Sequence, residues 1–134
     1  MSIEVSTVNG RVPVTIMHVT GDLDSFTYGD FQAKADELIQ SGTHYILVDL
    51  SNSAYVSSAG FRVLHYMFNQ LRAKNPDANL SDEEIRKGIS EGTYASPHLK
   101  LLNLSPETQK AFEMTGFDMY IETFNDLKRA IAAF

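Results

Sequence analysis

Two adjacent serines, Ser57 and Ser58, are the side chains in this sequence that are best placed for chemistry. They follow a polar loop and precede Ala59 and Gly60, so small residues surround them. A helix that begins here would direct free backbone N–H groups and its positive dipole end toward a negative group. The fold would therefore tolerate a phosphate on Ser58, although its charge of roughly −2 would change any interface around it. The alternative is that one of these serines only caps the helix.

Other chemical sites have weaker support in the sequence. Asp22 and Asp24 resemble a carboxylate pair, but no nucleophile or base accompanies them, so we interpret them as turn residues that add acidic character near Ser58. A small enzyme or ligand binder at this edge is a further alternative. Ser58 has no evident histidine partner for a hydrolase triad. We expect no enzymatic activity and no cofactor, because the sequence has no phosphate-binding loop, no Gly-x-Gly-x-x-Gly motif and no Gly-x-Ser-x-Gly elbow. We expect no metal, because the four histidines are dispersed without metal-ligand spacing: His18, His44, His65 and His98.

A strand–helix–strand unit is predicted to position the serines. The run from His44 to Leu50 is nearly continuous and apolar, which is typical of a central strand covered on both faces. A helix over Tyr28–Gln40 precedes it, and an N-terminal hairpin with an Asn9-Gly10 turn comes before that helix. Since the crossover implies parallel pairing, we expect the Gly21–Asp24 turn and the loop after Leu50 to lie close together.

The remaining elements complete one α/β domain over residues 1–134. A helix from Ser57 or Ser58 to about Ala73 is predicted, with His65 on its exposed face. Strands are expected at His98–Leu104 and Met119–Thr123. Between these strands the Ser105-Pro106 pair starts a helix that ends at Gly116, and one more helix closes the sequence.

An extra segment at about 74–97 is too long for a simple connection. Ser81 and Glu84 form a capping box, so we predict a short helix from Asp82 to about Glu91, with Leu80 packed against Ile85. This helix is expected to decorate the surface, contact a partner or form a dimer contact.

Composition and charge narrow the possible functions. The 134 residues carry a net charge of −6 and contain no cysteine, which argues against nucleic-acid binding, disulfides and cysteine zinc sites. No apolar run approaches the length of a membrane span, and the start of the sequence lacks the features of a secretory signal. We expect a cytoplasmic protein-binding domain that is a monomer or a weak dimer.

Three segments, in this order, resemble the STAS domain family of bacterial anti-sigma factor antagonists. Gly21–Asp24 is similar to the family's Gly-Glu-Leu-Asp turn. The stretch from Asp49 to Leu64 resembles its Asp-Leu-Ser strand end, loop and phosphorylatable serine. Leu102–Glu107, with Thr115–Phe117 after it, resembles a later strand and helix. The resemblance covers about residues 3–73 and 98–134, and the segment at 74–97 lies outside the common pattern.

The resemblance implies a fold, a function and a set of partners. The expected fold is STAS-like: an N-terminal hairpin joined to a mixed sheet of four or five strands, about four helices and a short inserted helix. Ser58 occupies the position that a partner anti-sigma factor kinase phosphorylates and a phosphatase resets; only the unphosphorylated antagonist binds the anti-sigma factor and frees sigma. The alternative function is a scaffold or transporter-associated module that binds partners without phosphorylation.

The resemblance also implies a site. Ser57 stands where the family usually has an acidic residue, so it is a rival phosphoacceptor, and Arg62 replaces a usual glycine. The expected partner-binding residues surround the start of the helix: Asp22, Asp24, Ser57, Ser58, Gly60, Phe61 and Arg62.

Overall fold

A five-stranded mixed sheet organises the chain in the computed structural model, which describes residues 1–75 and 81–134. The strands lie in the sheet in chain order: β1 (Ser2–Asn9), β2 (Pro13–Thr20), β3 (Ile46–Asn52), β4 (Leu99–Leu102) and β5 (Glu122–Phe124). The described helices are α1 (Tyr28–Gln40), α2 (Ser58–Lys74), α3 (Asp82–Glu91), α4 (Pro106–Thr115) and α5 (Leu127–Ala132). The α/β fold expected from the sequence, with its hairpin, sheet and inserted helix, is confirmed.

The predicted N-terminal hairpin forms, but its turn differs from the predicted Asn9-Gly10 turn: Asn9 is the last residue of β1, and three residues, 10–12, connect the strands. β1 and β2 pair antiparallel from Asn9 opposite Pro13 to Ser2 opposite Thr20. Pro13 is the first residue of β2, a position where the missing N–H of proline does not break the sheet. β1 forms the edge of the sheet, and most of its residues are exposed.

Parallel strands form the centre of the sheet. β3 pairs with β2 on one side and β4 on the other, both in parallel. Ile46, Leu47 and Val48 are each 0% exposed, as a strand covered on both faces requires. The α1 crossover from β2 to β3 is the predicted parallel connection.

Two apolar clusters hold the layers together. The larger one fills one face of the sheet under α1, α2 and α4, and it includes Met17, Val48 and Phe112. The smaller one lies on the opposite face, where Ile131 of α5 covers part of the sheet. β2, β3 and β4 thus contribute residues to both faces.

The inserted helix has the predicted boundaries. The Ser81 Oγ accepts a hydrogen bond from the Glu84 N–H at 3.1 Å, which is the capping box, and Gly92 ends the helix with φ at 73°. Arg72 of α2 forms an ion pair with Asp82 at the start of α3. Ile85 is buried, whereas the Leu80 that was expected to pack on it lies outside the described residues.

Two strand predictions need correction. β4 is shorter than His98–Leu104, because Asn103 takes a left-handed φ of 59° that ends the extended backbone. The strand expected at Met119–Thr123 is wrong in position: residues Phe117–Met119 form a 3₁₀ turn and β5 follows it. The apolar pair Tyr120-Ile121 that suggested a strand is buried at the end of this turn.

His65 is not on an exposed face as the helical spacing predicted. It is half-buried, and its Nδ1 lies 2.6 Å from the Tyr120 hydroxyl in a hydrogen bond. Its ring also stacks on Phe117 at a centroid distance of 5.0 Å. The 3₁₀ turn brings both aromatic rings over this part of α2, which the helical pattern of α2 alone does not reveal.

Candidate functional site

Two loops meet at the carboxyl ends of β2 and β3, as the parallel crossover predicts. The Leu23 N–H donates to the Tyr55 carbonyl at 3.0 Å, and the Ser57 N–H donates to the Leu23 carbonyl at 2.8 Å. Leu23 and Val56 form an isolated parallel bridge. These contacts fix the Gly21–Asp24 turn against the residues that lead into α2.

Close packing at Gly60 sets the position of the first turn of α2. A Cβ on Gly60 would lie 2.8 Å from Val56 Cγ1, 2.9 Å from Leu23 Cγ and 3.1 Å from the Leu23 carbonyl oxygen. These distances are too short for a side chain. Glycine is therefore needed here so that α2 can begin directly against the two loops.

Ser57 and Ser58 have opposite environments although they are adjacent. Ser57 is the N-cap of α2, but its side chain makes no capping hydrogen bond. Among the described residues, its Oγ is a buried side-chain oxygen with no hydrogen-bond partner. Ser58 is the first helical residue and is exposed. Only the Ser58 hydroxyl is thus open to another protein.

The start of α2 presents an uncompensated positive end. The first turn of α2 contains no acidic residue, and Ser57 does not occupy its N–H groups through a side-chain cap. The first N–H groups of a helix lack partners within the helix. A negative group on Ser58 would consequently be stabilised by these donors and by the helix dipole.

Asp22 and Asp24 lie on the adjoining turn, and Asp24 has the turn role that the sequence suggested. Its Oδ1 accepts hydrogen bonds from the Phe26 N–H at 2.9 Å and the Thr27 N–H at 3.2 Å. Asp22 is exposed. Asp24 therefore shapes the loop before α1, while the Asp22 carboxylate remains available at the surface.

The other predicted site residues divide into buried and exposed positions. Gly60 is buried, and Phe61 is only 4% exposed and packs against Phe112 in the core. Their places in the fold let them support the site rather than offer side chains to a partner. Arg62 is exposed, and its Nε donates to the Ser58 carbonyl at 3.4 Å.

Exposed aromatic side chains near the start of α2 were not identified from the sequence. Phe26 is 93% exposed, Tyr55 is 55% exposed and Tyr28 is 43% exposed. Phe26 and Tyr28 flank the α1 start, and Tyr55 lies in the loop before Ser57. Exposed aromatic residues of this kind are enriched in protein–protein interfaces. The available signal was their position in the two loops that lead to the site, although burial in the core would fit the same residue types.

A hydrogen-bonded chain on the other face of the sheet involves different residues. The Ser6 Oγ and His18 Nε2 lie 2.9 Å apart, and the His18 Nδ1 lies 2.9 Å from Asp49 Oδ2. Asp49 Oδ1 also accepts hydrogen bonds from the backbone and hydroxyl of Ser51. Burial alone raises the pKa of Asp49, but the Ser51 and His18 hydrogen bonds outweigh it and lower the pKa. Ser6 lies on the exposed edge strand β1.

The described residues, 1–75 and 81–134, contain neither a metal-binding cluster nor a membrane-spanning helix. No group of three or more histidine, cysteine, aspartate or glutamate side chains there could hold a metal ion. None of the described helices is long and apolar enough to cross a membrane.

Comparisons with known proteins agree with the fold described above. The sequence model of the STAS domain matches residues 5–81, which is more than half of the chain. No curated protein matches the sequence significantly.

Three solved structures illustrate the shared fold. An anti-sigma factor antagonist from Mycobacterium paratuberculosis superposes with a TM-score of 0.68 at 17% identity, over 98% of this chain and 93% of that one. An anti-sigma-factor antagonist (STAS) domain protein from Planctomyces limnophilus gives 0.66 at 13% identity, over 96% and 95%. The Bacillus cell fate determinant SpoIIAA in its phosphorylated form gives 0.60 at 17% identity, over 96% of each chain. With its fold and its sequence match in agreement, this chain belongs to the STAS domain family.

Proposed function

We propose that this chain is a non-enzymatic anti-sigma factor antagonist that acts in the cytoplasm, where sigma factors work. It binds an anti-sigma factor through the surface around Ser58, which includes Asp22 and Arg62. The partner is also a kinase that transfers the γ-phosphoryl group of ATP to the Ser58 Oγ, releasing ADP and a proton. Phosphorylation prevents binding, and a phosphatase restores the unphosphorylated antagonist.

The contrast between the two serines carries this proposal. A kinase must bring the acceptor oxygen into its own active site, so the hydroxyl must be open to solvent. Ser58 is exposed, whereas the Ser57 Oγ is buried. This contrast in exposure favours Ser58 over Ser57 as the acceptor. The names of the structural neighbours, which are anti-sigma factor antagonists, give the class of partner.

The surroundings of Ser58 suit a protein interface. Phe26, Tyr28 and Tyr55 expose aromatic area near the start of α2, which can be buried on docking. A phosphate at the centre of such a surface would lose hydration when the partner docks, and desolvation of an unpaired charge is costly. Each 1.4 kcal/mol of this penalty weakens binding about tenfold. Gly60 and Phe61 contribute by holding α2 in place from below.

The test is phosphorylation by the cognate anti-sigma factor kinase, followed by mass-spectrometric mapping of the phosphate. The proposal predicts phosphate on Ser58, loss of the modification in Ser58→Ala, and its retention in Ser57→Ala. Ser57→Ala is the matched control because it removes the adjacent hydroxyl and leaves the same helix start. Absence of phosphate from both serines, with a kinase that is active on its own substrate, would refute the phosphorylation.

A second function is supported by the inserted helix. α3 buries Ile85 and exposes most of its other residues, so this helix offers a further surface to a partner. With this second function, the chain is a scaffold or transporter-associated module that binds its partner whether or not Ser58 is phosphorylated. Equal partner affinity of Ser58→Ala and Ser58→Asp would favour this function, while much weaker binding by Ser58→Asp alone would favour the phosphorylated antagonist.

A further inference from the structure

Arg62 lies one helical turn after Ser58 on the same side of α2. Residues four apart on a helix are neighbours, and opposite charges at this spacing attract. The Nε of Arg62 already donates to the Ser58 carbonyl oxygen at 3.4 Å. The guanidinium group is thus folded back toward the start of the helix, where the Ser58 side chain is exposed.

Within residues 1–75 and 81–134, no carboxylate forms an ion pair with Arg62. The ion pairs found among the described residues involve His18, Lys34, Arg72 and Lys100, and none of them includes Arg62. On the adjoining Gly21–Asp24 turn, Asp24 is engaged by two backbone N–H groups. Among the described residues, Arg62 is therefore a cation whose one polar contact is a weak hydrogen bond to the backbone.

Arg62 also forms part of a groove between the starts of α1 and α2. The groove has a volume of about 250 Å³, and it is lined by Ser25, Tyr28, Gln32, Ala59, Arg62 and Val63. The other lining residues are uncharged, so Arg62 supplies the positive charge of the groove. Ala59, which directly follows Ser58, also lines the groove. A change in the position of Arg62 therefore alters the groove next to Ser58.

We propose that Arg62 is the internal counter-ion of a phosphate on Ser58. This inference rests on the proposed function, because it takes Ser58 as the modified residue. The guanidinium donates to the phosphate oxygens in a charge-assisted pair, and it turns away from the groove to do so. Phosphorylation then makes two changes for a partner: it adds an anion at Ser58 and it withdraws the cation from the neighbouring groove.

The test uses the full chain with phosphoserine incorporated at position 58 during translation, so that no kinase is needed. The second ionisation of the phosphate, which has a pKa near 6 when unperturbed, is followed by ³¹P NMR at low salt. With Arg62 present, this pKa is expected to be about half a unit lower than in Arg62→Gln, the size of one partly exposed ion pair. The difference should shrink at high salt, and Arg62→Lys should restore part of it.

Arg86→Gln is the matched control. Arg86 is an exposed arginine of α3, so its loss changes the net charge equally without touching the start of α2. Asp22 and Asp24 are present in every variant, so any effect they have on the phosphate cancels from the comparison. Equal phosphate pKa values in Arg62→Gln and Arg86→Gln would overturn the proposal. This outcome differs from failure of the proposed function, which would appear as no kinase-dependent phosphate on Ser58.

Discussion

Leu23 and Val56 form a single parallel bridge that joins the turn after β2 to the loop after β3. The bridge is extended by hydrogen bonds from the Leu23 N–H and to the Leu23 carbonyl. The surface around Ser58 is consequently assembled from two segments that are far apart in sequence. Its geometry depends on how closely α2 approaches this bridge.

Gly60→Ala tests that close approach. The added methyl group would lie 2.8 Å from Val56 Cγ1 and 2.9 Å from Leu23 Cγ, and overpacking of this kind typically costs about 1–3 kcal/mol. We expect the urea midpoint to fall by a corresponding amount. Any gain in helix propensity from alanine, about 1 kcal/mol at most, is too small to reverse the sign.

Gly29→Ala is the control for the Gly60 variant. Gly29 is also in a helix, near the start of α1, but nothing lies within 4 Å of its added Cβ. This variant should be neutral or more stable by up to about 1 kcal/mol. Equal destabilisation of both variants would show that contact with Leu23 and Val56 is not the cause.

Ser57→Ala and Ser105→Ala are expected to differ, although both serines are helix N-caps. The Ser105 Oγ accepts a hydrogen bond from the Thr108 N–H at 3.2 Å, and Ser57 makes no such bond. Loss of the Ser105 cap should cost about 0.5–2 kcal/mol. Ser57→Ala removes a buried hydroxyl without a partner, so stability should stay equal or rise. Chemical denaturation of the two variants measures this, and a large loss in Ser57→Ala would contradict it.

Asp49 is expected to make stability depend on pH on the acid side. Its pKa is lowered in the folded protein because hydrogen bonds from Ser51 and His18 outweigh the effect of burial. A carboxyl whose folded pKa lies below its unfolded value stabilises the fold above about pH 4, and this stability is lost as the pH falls through the folded pKa. Because these hydrogen bonds are made to a charged group, the unfolding free energy of Asp49→Asn should be about 1.5 kcal/mol lower at pH 7.

The shape of the pH profile distinguishes this effect from general damage. Urea unfolding midpoints between pH 7 and pH 2 should fall less steeply below pH 4 in Asp49→Asn than in the unmodified chain. Parallel profiles for the two proteins would show that Asp49 titrates alike in the folded and unfolded states.

Lys100 and Glu122 allow a double-mutant test of a buried charge. The Lys100 side chain is 2% exposed, and its Nζ donates to Glu122 Oε1 at 2.6 Å and to the Ser96 carbonyl at 3.1 Å. Glu122→Ala leaves the ammonium group without its counter-ion, at a cost of about 1.5–3 kcal/mol. Lys100→Met in that background should recover part of the loss, because an apolar chain of similar length replaces the charge. A lower unfolding free energy for the double variant than for Glu122→Ala alone would contradict this.

The fold was largely predictable because local patterns agreed with one another. Asn9-Gly10 indicated the hairpin, the apolar run at His44–Leu50 indicated a central strand, and Ser105-Pro106 indicated the start of α4. The predictions failed where tertiary contacts determine the backbone conformation. Tyr120 and Ile121 are apolar enough for a strand, yet hydrogen bonds to the Phe117 carbonyl hold them in a turn.

The candidate site was predictable in position but not in detail. Parallel pairing of β2 and β3 placed the two loops together correctly. Exposure could not be deduced from residue type: Phe61 is buried while Phe26 is 93% exposed. The same limit applied to Ser57 and Ser58, whose difference depends on how α2 is seated against Leu23.

The length of α2 separates its two ends in space. Its 17 residues span roughly 25 Å at the helical rise of 1.5 Å per residue. Ser58 lies at one end, and Arg72, which anchors the inserted helix through Asp82, lies near the other. A protein that contacts only the first turn of α2 would therefore not reach the Arg72–Asp82 contact, so a substitution at that contact changes the seat of α3 without changing the surface around Ser58.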